Sequence, residues 1–457
     1  MIDTAHTQGT RYHQAVASPP VAVGSHRFLY RGIKAILRCD EAEVVEEIAR
    51  YVVSQHRLLR WLAALIERGH DSWFPGLIAL IGGARAFLSV QPISTREGSI
   101  WHARLSNERR AIEPFLAVAA DLNWNESKFR ALPHPWTLVQ LLRNSRWRKT
   151  TRLVRQLHRR YQFFKVLRVV EFIAYYTRYL DIFERSAFRL AVMSSHSNPH
   201  GIAFNLAARR CGVPVVLITH GMPIRPVARL TFDLAVVHCE AARQTYLEDG
   251  CHFNCFLIHG RKQDYSPMLD QVRSPLRVAI FLCKDVNEAR LEALVATLLR
   301  DPKLARINIR PHPKNLSTGL VKWIGSLNDS RVGLSTAVSS LDDVRGADLV
   351  LGGNSSVLID AVVGGRPAGF VAGLDHGPPD VHRLVAGGLL CSLDETERGI
   401  EQQARAMLEC YRRPEWETRL RRFANIDEDQ ASVASRAVKI MRELYNLNRK
   451  PPLKLSL

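Results

Sequence analysis

Long uninterrupted apolar runs are scarce in this sequence of 457 residues. The most apolar stretch, 73–90, contains Pro75, Arg85 and glycines, so we interpret it as buried helix and turn and not as a membrane span. Residues 1–14 lack the basic start and the apolar core of a secretory signal. We therefore expect a protein that stays in the cytoplasm, either soluble or peripheral on the inner face of the cytoplasmic membrane.

Metal-binding patterns are missing as well. The eight cysteines are scattered singly, a usage that suits a reducing compartment. Cys251 and Cys255 are the only close pair, and their spacing with His252 and His259 matches no standard zinc site. No Asp-x-Asp follows a predicted strand, since the acidic residues at 427–429 lie in a polar stretch. We therefore expect no metal requirement.

Acidic residues are outnumbered, with 44 Asp and Glu against 63 Lys and Arg and a net charge of +19. This excess indicates an anionic partner, but no helix-turn-helix, finger or RNP-like motif favours nucleic acid. Residues 143–168 contain ten basic and no acidic residues, with Trp147, Phe163 and Phe164 among them. The segment could rest on an anionic membrane, or it could be a solvated helix face.

The chain is long enough for two domains. Apolar residues spaced by three and four predict a helix-rich region over 41–186. Beyond it, short apolar runs alternate with helical pieces, which predicts parallel sheets. The predicted strands are 188–193, 213–219, 234–238 and 256–258, then 276–283, 306–309 and 348–352; the predicted helices of the second series are 287–300 and 356–363.

The polar stretch 261–275 divides this alternation into two halves. We predict an α/β fold with two Rossmann-like domains facing a cleft. The first predicted domain covers 1–265, and its Rossmann-like part is 187–260. The second covers 266–430, and a helix with a basic tail follows over 431–457.

Three motifs follow predicted strands, where open parallel sheets bind ligands. In the first, His220 and Gly221 come directly after an apolar strand. An imidazole at that position could take a proton from an acceptor hydroxyl. His196 and His200, which follow the preceding strand, are further candidates for the acceptor side of the cleft. Alternatively, His220 only hydrogen-bonds a loop.

In the second motif, Pro311 and Pro313 hold the backbone extended around one imidazole. Arg310, His312 and Lys314 are then available to bind phosphate oxygens and to stabilise a leaving phosphate. Alternatively, the segment is only a turn between a strand and a helix and binds no phosphate.

The third motif is Gly-Gly-Asn-Ser-Ser at 352–356, between a strand and a helix. Its small residues allow a phosphate to approach the backbone, and Asn354, Ser355 and Ser356 could bind it. Asp360, one helical turn later, could accept from a ribose hydroxyl. The alternatives are a helix cap for the serines and a solvated position for Asp360.

The order of these motifs resembles the superfamily of CDP-glycerol glycerophosphotransferases and capsule polymerases, which has the GT-B architecture. The resemblance covers about 188–375. Bacterial polysialyl- and Kdo-transferases share a similar His-Pro and Ser-Ser pair. The resemblance to the glycerophosphotransferase superfamily rests on the following features: His-Gly-x-Pro at 220–223, Gly260-x-x-x-Asp264, Arg-x-His-Pro at 310–313, Ala347-Asp348 and Ser-Ser-Val-Leu-Ile-Asp at 355–360.

The resemblance implies that His220 is the base, that His312 contacts the donor phosphate and that the paired serines bind it too. It also implies that residues 431–445 form a helix that packs back onto the first domain. The expected activity is the metal-independent transfer of a glycosyl, sialyl, Kdo-like or polyol-phosphate group. The donor would be nucleotide-activated, with CMP or CDP favoured, and the acceptor an anionic or lipid-linked surface glycan.

Two departures from the superfamily leave alternatives open. Gly353-Asn354 stands where the glycerophosphotransferases have Asp-Tyr, and 261–264 reads Arg-Lys-Gln-Asp where they have Pro-Arg-x-Asp. Gly-Asn-Ser-Ser is also similar to the nucleotide-sugar 2-epimerases, which would make the protein an isomerase. A non-catalytic binding protein is the third alternative.

Overall fold

The computed structural model describes residues 97–128, 163–194, 196, 198–223, 225, 227–259, 268–312, 318–394, 399–424 and 429–448, with scattered positions between 82 and 93 and between 154 and 159. Within these ranges the chain forms two six-stranded sheets, and every registered strand pair is parallel.

The first sheet has the strand order β2-β1-β3-β4-β5-β6. Its central strands are apolar on both faces, as a parallel sheet covered by helices requires. Its elements are β1 Glu97–His102, α1 Ser106–Val118, β2 Trp124–Glu126, α2 Phe163–Glu184, β3 Ala187–Met193, α3 Pro199–Arg210, β4 Val215–Ile218, β5 Thr231–Val237, α4 Glu240–Glu248 and β6 His252–Ile258.

The second sheet has the order β12-β11-β10-β7-β8-β9, which is the Rossmann order read from the other edge. Its elements are β7 Leu276–Phe281, α5 Glu288–Leu299, β8 Leu304–Arg310, α6 Thr318–Ser326, β9 Val332–Leu334, α7 Ser340–Gly346, β10 Leu349–Gly352, α8 Val357–Val363, β11 Ala368–Phe370, β12 Cys391–Ser392, α9 Ile400–Tyr411 and α10 Pro414–Phe423. The two sheets confirm the predicted GT-B-like fold class.

Two strands of the first sheet lie inside the region that the sequence predicted to be helix-rich. β1 pairs with both β2 and β3, so the sheet already begins at Glu97. β1 begins with Glu-Gly-Ser, and Gly98 has φ 97° where the register shifts. A Cβ at Gly98 would lie 2.4 Å from the Asn123 carbonyl oxygen, so glycine is required there. A strand that starts on a glycine bulge carries little apolar periodicity.

The last described helix, α11 Gln430–Leu447, packs on the first sheet and not on the second. Ala437, Val438 and Met441 are fully buried in a core that includes Val192 of β3. On the surface, the Arg442 guanidinium donates to both Asp121 carboxylate oxygens, at 2.8 and 3.0 Å. The predicted return of this helix to the first domain is confirmed.

Direct contacts join the two sheet systems. Cys239, just before α4, is buried in the core of the second sheet, and its thiol donates to the Met222 sulfur at 3.4 Å. Glu248 at the end of α4 accepts from Arg383 of the second half at 2.7 Å. Within the described ranges, no helix is long and apolar enough to cross a membrane.

Candidate functional site

The predicted motifs lie at the carboxyl edges of the two sheets. In the first sheet the strand order reverses between β1 and β3, and such a switch point is where open α/β sheets bind ligands. Ser194 follows β3, and His220 comes two residues after the neighbouring β4. The Ser194 N–H donates to the His102 carbonyl oxygen at 3.4 Å, which ties the ends of β3 and β1 together.

His220 is half-buried, and its Nδ1 lies 3.1 Å from the Ser194 hydroxyl. Burial lowers the pKa of His220 below its ordinary value, while the Glu108 carboxylate and a hydrogen bond to the Ser194 main chain oppose that shift. The imidazole is therefore neutral near pH 7 and has a lone pair to accept a proton. A Cβ added to Gly221, the next residue, would meet no atom within 4 Å, so the loop is open on that side.

Glu108, a residue that the sequence did not single out, lies buried in the first turn of α1. Its Oε2 accepts from the main-chain N–H groups of Arg104 and Leu105, at 2.7 and 3.0 Å. The only sequence signal was an acidic residue three positions into a helix, which is typical of a capping box. The Glu108 carboxylate raises the pKa of His220, against the larger effect of burial.

His196 is also close to His220 but is buried. The Tyr246 hydroxyl lies 3.1 Å from its ring nitrogens. Burial, with a smaller effect from His220, lowers the pKa of His196 to about 3. His196 is therefore a neutral neighbour of the candidate base.

His200 lies in the core, which corrects its assignment to the acceptor side. It is only 2% exposed, and its Nδ1 is 2.8 Å from Nε2 of His102. The Tyr179 hydroxyl lies 3.2 Å from the other His102 nitrogen. Burial lowers the pKa of His102 to about 3 and lowers that of His200 in the same way. The pair is a neutral, internally hydrogen-bonded part of the fold, and we withdraw His200 as an acceptor contact.

In the second sheet, Arg310 is the last residue of β8, and its guanidinium binds groups of the protein itself. Nη1 donates to the Asp343 carboxylate at 2.6 Å and to the carbonyl oxygens of Ala337 and Ser339 at 3.1 and 3.0 Å. Asp343 also accepts from the Ser335 hydroxyl. Arg310 therefore organises the loop 335–339, and its contact with a donor phosphate stays a prediction.

His312 is the second residue after β8 and is half-buried. Lys314, the third cation of this motif, lies outside the described residues. So do most of the basic segment 143–168 and the first part, 261–267, of the predicted linker 261–275.

The Gly-Gly-Asn-Ser-Ser loop connects β10 to α8 at the switch point of the second sheet, between β10 and β7. Ser355 and Ser356 are half-buried, and the Ser356 side chain makes no capping hydrogen bond. The helix-cap alternative for Ser356 is thereby removed. Asp360 lies on α8, half-buried.

Asn354 holds a neighbouring loop through its side-chain amide, and its contact with the donor stays a prediction. Its amide nitrogen donates to the Pro378 carbonyl oxygen at 2.9 Å, and its amide oxygen accepts from the Val381 N–H at 3.0 Å. The Asn354 main-chain N–H donates to the Asp375 carboxylate at 2.5 Å. The sequence did not identify Asp375, whose pKa is raised by burial. Both side chains support the loop that carries the serines.

Gly353 is packed against Asp375 so closely that a Cβ there would lie 2.1 Å from a carboxylate oxygen. We therefore expect Gly353→Ala to displace Asp375, break its bond to Asn354 and lower the free energy of unfolding by about 1 to 3 kcal/mol. Denaturant unfolding monitored by circular dichroism measures this change.

Gly325→Ala is the matched control, since a Cβ at Gly325 meets nothing within 4 Å. If both variants unfold at the wild-type midpoint, the close packing of Gly353 does not exist in solution.

In the part of the chain that the structure describes, no group of three or more His, Cys, Asp or Glu side chains could hold a metal ion. The candidate residues form two groups, one on each sheet. His220 contacts Ser194 at the edge of the first sheet, and His312 and the paired serines follow β8 and β10 at the edge of the second.

Comparisons with known proteins give only distant likenesses. No protein-family model and no curated protein matches the sequence. Among solved structures, the chain resembles the calicheamicin glycosyltransferase CalG4 with a TM-score of 0.45 and 14% identity, over 78% of this chain and 100% of that one. The comparison with MurG of Acinetobacter baumannii gives a TM-score of 0.41 and 11% identity, over 76% of this chain and 99% of that one.

The UDP-GlcNAc 2-epimerase of Neisseria meningitidis, solved with UDP-GlcNAc bound, gives a TM-score of 0.39 and 13% identity, over 77% of this chain and 100% of that one. Likenesses of this size carry no argument about the reaction that the chain performs.

Proposed function

We propose that the protein is a transferase that moves a glycosyl or polyol-phosphate group from a nucleotide-activated donor to an acceptor hydroxyl, with His220 as the base. One observation carries the proposal: a half-buried imidazole with a lowered pKa lies hydrogen-bonded to Ser194 at the switch point of one sheet. A histidine that only holds a loop would not need a position at the ligand-binding edge.

The proposed step is a direct displacement. His220 removes the proton of the acceptor hydroxyl, and the oxygen forms a bond to the transferred group. The bond from that group to the donor phosphate breaks, and its electron pair leaves with the nucleotide. The imidazolium then releases its proton to water. General-base catalysis of this kind contributes about a hundredfold to ten-thousandfold in rate.

We place the leaving phosphate against His312, Ser355 and Ser356. They follow β8 and β10, the two strands that flank the central strand β7, at the carboxyl edge of the second sheet. A histidine and two hydroxyls supply donors for phosphate oxygens. Arg310 and Asn354 act indirectly, because each holds a loop beside this edge.

The donor and acceptor classes rest on the motif resemblance and on charge. The motif order favours a CMP- or CDP-linked donor. The net charge of +19 suits an anionic or lipid-linked glycan as acceptor. Association of residues 143–168 with an anionic membrane belongs to the same proposal.

A nucleotide-sugar isomerase is the second candidate function, on the basis of Gly-Asn-Ser-Ser at 353–356. The two reactions differ in product. Incubation of the enzyme with a nucleotide-sugar and an acceptor gives free nucleotide in a transfer reaction, whereas epimerisation returns an intact nucleotide-sugar with one inverted centre.

The donor half of the proposal is tested by His312→Ala. The nucleotide is first chosen by thermal shift with CMP, CDP, UDP and GDP, and its affinity is then measured by calorimetry. Because a hydrogen bond to a charged oxygen contributes about 1.5 to 3 kcal/mol, we expect an affinity loss of about tenfold to a hundredfold and a parallel loss of transfer.

His252→Ala provides the control, because His252 is exposed on the edge strand β6 of the other sheet. The donor assignment is wrong if His312→Ala binds the chosen nucleotide as tightly as wild type does.

A further inference from the structure

The chain segments that follow β1 and β3 lie next to the loop that carries His220. Ser194 follows β3 and contacts Nδ1 at 3.1 Å. Glu108 belongs to α1, which follows β1, and is buried. His196 lies in the loop after β3, where Tyr246 holds it. Because β1, β3 and β4 are neighbours in the sheet, the residues after their carboxyl ends converge on one place.

The contact with Ser194 engages one ring nitrogen of His220, Nδ1, at 3.1 Å. A neutral imidazole carries hydrogen on one nitrogen and a lone pair on the other, and a serine hydroxyl can accept the ring N–H. When Nδ1 carries the hydrogen, the lone pair that takes up a proton is on Nε2.

Glu108 is fixed before any ligand binds. Two main-chain N–H groups hold its Oε2, so its position does not depend on His220. A buried carboxylate near an imidazole stabilises the imidazolium that a general base becomes.

We propose that Ser194 and Glu108 are positioning residues for His220: Ser194 holds Nδ1–H so that Nε2 receives the acceptor proton, and Glu108 supplies the negative charge that stabilises the resulting imidazolium. This inference rests on the proposed function, and it assigns roles to two residues that no sequence motif identified.

Glu108 and His196 differ in what they contribute to the charge around His220. Glu108 raises the pKa of His220, although burial outweighs it. His196 is neutral near pH 7, because burial lowers its pKa to about 3, so it adds no charge. Glu108 is thus the charge that tunes the base.

The test begins with the ring of His220 itself, in the full-length protein without ligand. Histidine labelled with ¹⁵N reports which ring nitrogen carries hydrogen, and a pH titration of its signals gives the pKa. Comparison with His220→Gln assigns the signals. We expect hydrogen on Nδ1 in wild type, and this measurement needs no activity.

Glu108→Gln retains an oxygen for the two main-chain N–H groups and removes only the charge. We expect the pKa of His220 to fall by about one unit, the scale of a nearby charge. Glu113→Gln is the control, because Glu113 is exposed on the same helix. We expect no change there.

Ser194→Ala is the second variant. We expect it to release Nδ1, so that the ring populates both tautomers, while Ser194→Thr retains the hydroxyl and the wild-type signals. This pair tests the proposal even if Glu108→Gln does not fold.

Kinetics on the same variants complete the test. We expect Glu108→Gln to lower kcat about tenfold, to leave the KM for donor unchanged and to move the acidic limb of the kcat/KM profile to lower pH. A wild-type ring with hydrogen on Nε2, or an unchanged His220 pKa in Glu108→Gln, overturns the positioning roles. Absence of transfer with the expected ring titration overturns the proposed function alone.

Discussion

Replacement of His220 by alanine is expected to reduce turnover by about a hundredfold to ten-thousandfold, with nucleotide affinity close to wild type. The reason is that the two groups of candidate residues lie on different sheets. His220 lies at the carboxyl edge of the first sheet, whereas the groups assigned to the donor phosphate lie at the edge of the second. The loss should therefore appear in kcat and not in nucleotide binding.

Steady-state rates and calorimetry on His220→Ala and His312→Ala measure this difference. His312→Ala should weaken nucleotide binding. His220→Ala should leave nucleotide binding intact and abolish the acidic limb of the pH–rate profile. Wild-type turnover of His220→Ala would show that the imidazole is not the base and would favour the isomerase or a binding protein.

Acidification from pH 7.5 to pH 5 is expected to destabilise the fold strongly, because three buried histidines are neutral in the native state. Burial lowers the pKa of His102 and of His196 to about 3, and it lowers the pKa of His200 well below its ordinary value. The unfolded chain binds these protons near pH 6.5, so their stabilisation is complete above that pH. It is lost as the pH falls from 6.5 towards 3.

For His102 and His196, the loss at pH 5 is about 2 kcal/mol each, and His200 adds to it in the same direction. A domain is typically stable by only about 5 to 15 kcal/mol, so this loss is a large fraction of the total. Urea unfolding at pH 7.5 and at pH 5 measures it. His196→Gln should reduce the pH dependence, and the exposed His252→Ala should not. Equal midpoints at the two pH values would show that the buried histidines titrate normally.

The alternating part of the fold could be predicted from sequence because its central strands are short and continuously apolar. All seven predicted strands beyond residue 187 are present, and each motif follows the strand that was expected to carry it. β1 and β2 were missed for a physical reason. β1 opens on a glycine bulge and β2 has three half-buried residues, so neither shows the pattern of a buried strand.

Side-chain roles were harder to predict, because they depend on partners that are distant in sequence. Arg310 has the chemistry of a phosphate ligand, but Asp343, 33 residues later, binds its guanidinium. Asn354 is held by a carbonyl 24 residues away, and His200 by His102, which is 98 residues earlier. Spacing within a motif does not reveal such contacts. His220 and His312 could be located because their positions follow from strand ends alone.

The return of α11 to the first sheet has a consequence for how the protein is made. Synthesis proceeds from the amino terminus, and domains generally fold in that order. Here the core of the first sheet includes Ala437, Val438 and Met441, which emerge from the ribosome only after the whole second sheet has been synthesised. The first half therefore cannot complete its core during translation. The surface of the first sheet that binds α11 stays uncovered until α11 has been synthesised.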